Sequence, residues 1–166
     1  MTKQVEAKKG FTIIEVVLVL AIAGLIFLMV FIALPALQRS QRDTQRNNDI
    51  SRMMTAVTQY QANNRGALPA NQAAWDDNTA NSSSFKNVYL KAGGDTFADP
   101  DGTEYKIVLK GNAGSNSAGP TVFTDHQIWI YTKAKCEGEK PVSSSGTNQI
   151  AALYKREGGG VICRNN

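Results

Sequence analysis

The feature that most limits what this chain can become is an uninterrupted apolar run from Val16 to Leu37. These 22 residues hold no charge, no hydroxyl and no amide. At the helical rise of about 1.5 Å per residue they reach roughly 33 Å, enough to cross a hydrocarbon core. A helix that is apolar on every side has no place on the surface of a soluble domain, so it belongs in lipid or in a bundle of helices. One carboxylate, Glu15, stands at its head, where an unpaired charge costs at least a few kcal/mol. A membrane anchor needs no such residue. Glu15 therefore asks for a partner.

The residues before the run are Lys8-Lys9-Gly10-Phe11-Thr12-Ile13-Ile14. A secretory signal peptide would have a shorter apolar core, roughly 7–15 residues, with a small-residue cleavage site after it. Here the core is longer and no such site follows. Arg39, Arg42, Arg46 and Arg52 come after the span and, taken alone, argue for keeping that side inside. The acids Asp43 and Asp49 are interleaved but count little in that rule.

The match Gly-Phe-Thr-Ile-Ile-Glu, followed by a long apolar run, resembles the class III prepilin signal of type IV pilins and pseudopilins. In that family a short basic leader ends in glycine, and a membrane peptidase cuts between that glycine and a phenylalanine. The resemblance implies cleavage between Gly10 and Phe11, N-methylation of Phe11, and a Glu15 that meets the Phe11 amine of a neighbouring subunit. Such a buried pair must be desolvated on both sides, so it fixes register better than it supplies net stability. The leader, residues 1–10, carries a net +2 of the chain's +4, so the pI of 9.1 overstates how basic the processed protein would be.

The resemblance and the two cysteines, Cys136 and Cys163, favour an exported C-terminal domain. There is no C-x-x-C, and the lone His126 is distant in sequence, so zinc is disfavoured. In an exported domain the pair reads as one disulfide, against the alternative of two unrelated thiols. The resemblance supports the bridge, since many pilins staple their C-terminal region this way.

Residues 11–37 form the membrane-spanning or filament-core helix, and residues 38–65 continue it as an amphipathic segment. Ile50, Met53, Met54, Val57 and Tyr60 or Gln61 recur at helical spacing, which predicts one apolar stripe against a globular domain. Gly66 and Pro69 close that pattern. Gly24 and Pro35 are expected breaks, with a bend or local melting near Ile32–Pro35. The family's helix-breaking proline usually sits a few residues earlier, about where Ile32 stands.

Residues 66–166 make the globular region. Residues 70–98 read as a loop pinned by Trp75, Phe85, Val88, Tyr89 and Leu90, with a short helix near 85–91. Asn81-Ser82-Ser83 fits a glycosylation sequon, a match short polar loops make by chance. Asp76-Asp77 and Asp95, Asp99 and Asp101 lack EF-hand spacing, so turn chemistry is the better reading than calcium. Asp99-Pro100-Asp101-Gly102 is a turn, and Thr103–Lys110 the strand after it. In the family an aromatic stands where Tyr105 does, at the start of the sheet. Gly111–Gly119 reads as an exposed hairpin connection and Thr121–Phe123 as the start of the next strand. Its best part is Gln127–Lys135, with Ile128, Ile130 and Thr132 on one face and Trp129, Tyr131 and Lys133 on the other. Residues 137–148 read as a polar loop, and Gln149–Arg156 with Gly160–Arg164 as a final hairpin around Glu157-Gly158-Gly159.

No repeat and no phosphate-binding glycine loop occurs, because Gly158-Gly159-Gly160 lacks the following Lys-Ser/Thr. His126 has only Asp125 nearby, more simply a turn residue. No catalytic residues, cofactor or metal are expected. The expected fold is α+β and pilin-like: a long N-terminal helix packed on a small antiparallel sheet of about four strands. The resemblance implies a non-enzymatic subunit, held in the cytoplasmic membrane with its C-terminal domain outside and then polymerised into an extracellular type IV pilus for adhesion, motility or DNA uptake. Its partners would be copies of itself, other pilins, prepilin peptidase, and the assembly platform with its motor ATPases. The alternative within the family is a pseudopilin of a type II-like secretion system. A DNA-binding pilin would need clustered basic residues, but no long basic run marks a nucleic-acid footprint. An anchored enzyme ranks last for want of a catalytic constellation.

Overall fold

This computed structural model describes residues 10–76, 83–113 and 124–166. The leader residues 1–9, most of the sequon at 81–83, and Thr121–Phe123 thus lie outside the described residues. The chain divides into two compact units, Met1–Arg39 and Ser40–Asn166. Helix α1, Ile13–Asn63, is a single element that contributes to both.

In the first unit α1 is apolar on all sides, with Leu18, Phe27 and Phe31 all exposed. By length and composition it can cross a membrane. Helix is not lost at Gly24 or Pro35, for α1 runs through both. A proline removes one hydrogen bond and crowds one turn, a local cost of about 3 kcal/mol. Elsewhere in the run each backbone group has only its own helix to bond to, so helix persists around the fault.

In the second unit α1 becomes amphipathic. Ile50, Met53, Met54, Ala56 and Val57 are buried, and Tyr60 packs at the margin of the same core. On the polar side the hydroxyls of Thr44, Ser51, Thr55 and Thr58 donate to carbonyls four residues back. These polar side chains are therefore satisfied within the helix. Its end is set by Arg65 and Gly66, both at positive φ, with the Gly66 N–H donating to the Gln61 carbonyl at 2.7 Å.

Among the described residues six strands follow: β1 Lys106–Asn112, β2 Gln127–Thr132, β3 Ala134–Glu137, β4 Lys140–Ser143, β5 Ile150–Lys155 and β6 Val161–Asn165. The main sheet has the order β1-β2-β5-β6, and β3-β4 form a separate two-stranded sheet. The expectation of an antiparallel sheet is corrected here. β1 and β2 run parallel, while β2-β5 and β5-β6 are antiparallel, so the sheet is mixed. Side-chain alternation has a period of two in either direction and does not encode strand polarity. A two-residue hairpin cannot join a parallel pair, and most of the connection expected over Gly111–Gly119 lies outside the described residues. Gly111 and Asn112 lie in β1, with a register shift between Leu109 and Gly111.

Both faces of the sheet are covered. Ile107, Ile128, Ile130, Ile150, Ala152 and Tyr154 face the α1 stripe. Trp129, Ala151 and Leu153 face away and pack with Ala134 and the half-buried Cys136 and Cys163. Residues 137–148, expected as loop, contain β4, which pairs with β3 through a two-residue turn at Gly138 and Glu139.

The segment after α1 covers the core with Trp75, Phe85 and Leu90, all fully buried, while Val88 is exposed rather than a pin. It holds a short helix α2, Gln72–Trp75, and a π-helical turn, Lys86–Leu90, where a helix near 85–91 was expected. This segment also blunts the edge of β1. The Ile107 N–H donates to Asp76 and the Leu109 N–H to Gln72, each at 2.6 Å, leaving those donors unavailable to another strand. Asp76 is itself paired with the buried Lys86.

Candidate functional site

The residues singled out at the N-terminus stand in the open. Gly10 and Phe11 are exposed and precede α1 in non-helical backbone. A Cβ at Gly10 would meet nothing within 4 Å, and Gly10 does not adopt positive φ. Among the described residues nothing packs against that position in a way that calls for glycine.

Thr12 and Glu15 form the cap of α1. The Thr12 N–H donates to Glu15 Oε2 at 2.8 Å, the Thr12 hydroxyl donates to the same oxygen at 2.8 Å, and the Glu15 N–H faces Thr12 Oγ1 at 3.4 Å. This is the reciprocal arrangement that Thr-x-x-Glu favours at a helix start. Glu15 thus has an intrachain partner that the sequence reading passed over, although the spacing was present. Oε1 accepts no hydrogen bond among the described residues and remains open to another donor.

Cys136 on β3 and Cys163 on β6 are bridged, with Cα atoms 5.8 Å apart. The bridge ties the β3-β4 hairpin to the last strand of the main sheet. His126, at φ 62°, pairs through Nε2 with Asp101 at 2.6 Å, whereas Asp125 pairs with Lys155. Asp99, Asp101 and His126 could together offer ligand atoms to a metal, since these lie within 4.8 Å of one another. Asp99 is a poor donor for that purpose. Both its oxygens already accept hydrogen bonds from Arg46, and Oδ2 accepts a third from Tyr154. The Asp99-Pro100-Asp101-Gly102 segment is a turn closed by the Gly102 N–H on the Asp99 carbonyl at 2.8 Å, which aims the Asp99 carboxylate inward.

Sequence reasoning missed what Asp99 meets there. Arg46, on α1, is buried and binds Asp99 through two nitrogens at 2.7 and 2.8 Å, and also Asp43 and Glu157. Arg42 reaches Glu157 as well, and Asp43 accepts the N–H groups of Glu157 and Gly158. A Cβ at Gly158 would lie 3.1 Å from the Asp43 carboxylate, so this glycine serves close approach to α1. Burial pushes Asp99 and Asp43 up, but the Arg46 guanidinium and the hydrogen-bond donors around each bring both below the ordinary range. The Arg42 hydrogen bond holds Glu157 down to about 2. Burial raises Asp49, which accepts from the fully buried Tyr105. Of the four arginines after the span, Arg42, Arg46 and Arg52 are paired with acids of their own domain.

Comparison with curated proteins and with solved structures gives no match. Residues 7–31 match the prokaryotic N-terminal methylation motif. That stretch takes in the Gly10–Phe11 bond, the Thr12–Glu15 cap and the apolar run as far as Phe31. The chain therefore carries, ahead of its α+β domain, the class III signal of type IV pilins.

Proposed function

We propose that this chain is the structural subunit of a type IV pilus. It is stored in the cytoplasmic membrane through α1, cut by prepilin peptidase between Gly10 and Phe11, and N-methylated at Phe11. It then polymerises through the N-terminal helix into a surface filament. The observation that carries this reading is the methylation motif at residues 7–31, on an exposed segment directly before a capped apolar helix. Peptidase, assembly platform and motor ATPases are the partners it implies. The disulfide near the C-terminus supports a pilus over a secretion pseudopilus, because stapled C-terminal regions are common among pilins.

Glu15 sets the axial position of each subunit. In the stored subunit Oε2 is satisfied by Thr12, and Oε1 is kept for the Phe11 amine of a neighbour. Without that carboxylate the amine would be buried alone, at a cost of about 3–5 kcal/mol per contact. Glu15→Val should leave membrane residence and leader removal intact yet abolish or sharply reduce filament yield in a strain lacking the wild-type subunit. Normal yield would refute the pairing.

A further inference from the structure

Lys86 is the one buried lysine among the described residues. Its Nζ lies 3.2 Å from Asp76 Oδ1 and 3.5 Å from Glu104 Oε1. The Lys86 and Asp76 side chains are only 9% and 2% exposed. Two ions taken out of water at that depth recover little net stability from each other, so a reaction that removes both charges relieves the desolvation cost.

The surrounding chain holds the two groups in register. Trp75 and Phe85, the residues just before Asp76 and Lys86, are fully buried with ring centroids 5.1 Å apart. Asp76 Oδ2 accepts the Ile107 N–H at 2.6 Å, while Oδ1 faces the lysine. Glu104 is half exposed, and its Oε1 also accepts from Lys91 at 2.6 Å. That hydrogen bond holds the Glu104 carboxyl below its ordinary range, in the form that accepts a proton. An amine, a carboxyl carbon, a donor on one carboxyl oxygen and a base at the amine thus meet in a nearly dry place. Reacting groups fixed about 3–3.5 Å apart behave as if at roughly 10⁵–10⁸ M.

We propose that Lys86 and Asp76 condense into an intramolecular isopeptide bond, with Glu104 as the proton relay. The ammonium passes one proton to Asp76 Oδ1, and the neutral amine attacks Cγ. The Ile107 N–H stabilises the negative charge that gathers on Oδ2. Glu104 takes a second proton from the nitrogen and delivers it to Oδ1, which leaves as water. One ammonium and one carboxylate become one amide and one water, and nothing else is consumed. The new carbonyl oxygen, Oδ2, keeps the Ile107 N–H. The bond closes a covalent ring over residues 76–86 and fastens the segment that covers the core and the β1 edge. It stands whether or not the chain is a pilus subunit.

The intact mass of the full chain, purified in detergent micelles and reduced, reads the bond directly. The wild-type chain should be lighter by one water than its sequence requires. Its digest should contain a branched peptide that joins Lys86 to Asp76 and resists trypsin after Lys86. Lys86→Arg keeps the cation but should restore the full mass. Glu104→Gln, at a half-exposed position, removes a base worth about 10²–10⁴-fold in rate and should leave most chains with their water. Far-ultraviolet circular dichroism matching the wild type would certify the fold of each variant. A wild-type chain at full mass would overturn the proposal. So would water loss that survives Lys86→Arg, loss that maps to a cyclic imide at Asp101-Gly102, or complete conversion in Glu104→Gln.

Discussion

Arg46→Met should be the most destabilising single change in the domain that leaves its apolar core untouched. Methionine keeps much of the apolar stem and removes the guanidinium, whose carbon lies 5.9 Å from the Tyr154 ring centroid. The loss then concentrates on Asp99, whose side chain is fully buried. Asp43 retains the N–H groups of Glu157 and Gly158, and Glu157 retains Arg42. Asp99 keeps only the Tyr154 hydroxyl and the Asp101 N–H. Leaving a buried charge without its counterion costs about 3–5 kcal/mol. Asp99→Asn on the Arg46→Met background removes that orphan charge while an amide oxygen can still accept from Tyr154. The double variant should therefore be more stable than Arg46→Met alone, with a coupling of roughly 1–3 kcal/mol. Urea unfolding in micelles, followed through Trp75 and Trp129, measures all four corners of the cycle. A loss below about 1 kcal/mol for Arg46→Met, or strict additivity, would refute the account of Arg46 as the buried counterion of Asp99.

Replacing Cys136 and Cys163 by alanine opens a loop with a sequence separation of 27. By loop-closure entropy this should lower the stability of the oxidised domain by about 3–4 kcal/mol, read from the shift in urea midpoint. Acid should weaken the α1 clamp. Asp43, Asp99 and Glu157 have folded pKa values below their unfolded ones, so their contribution is complete above the ordinary carboxylate range and is lost as pH falls through it toward about 2. Asp49, whose folded pKa is raised, works in the opposite sense and offsets part of that loss. Midpoints between neutral pH and about pH 2.5 should fall, and Glu157→Gln should flatten the decline. Asp76→Ala strips the buried Lys86 of its near partner and frees the Ile107 N–H at the sheet edge. It should cost about 3 kcal/mol and promote aggregation measurable by light scattering.

Much of the fold was legible because burial here follows period. The stripe Ile50, Met53, Met54 and Val57 announces a helix lying on something, and Ile128 and Ile130 against Trp129 and Tyr131 announce a strand with two dry faces. The DPDG turn and the triglycine turn were read from glycine and proline chemistry, which is local. Strand polarity was not legible, since Lys106–Asn112 alternates the same way whether it runs with β2 or against it. β4 was missed because Lys140-Pro141-Val142-Ser143 is short and polar, and only its Gly-Glu turn hints at pairing. Arg46 was passed over for a different reason. A charged residue between Asp43 and Asp49 reads as solvated surface, and its role depends on Asp99, 53 residues away. At the N-terminus the motif was plain, but a carboxylate at the head of an apolar run reads as a charge awaiting another chain, which hides the local Thr12–Glu15 cap.

The intact mass of the protein recovered from membranes of cells that carry a prepilin peptidase tests the central claim most directly. The account predicts loss of residues 1–10, leaving 156 of the 166 residues with a methylated Phe11 at the start. In the same cells a bulky substitution at Gly10 should leave the leader in place. A wild-type chain that keeps its leader there, or is cut beyond Leu37, would contradict the account.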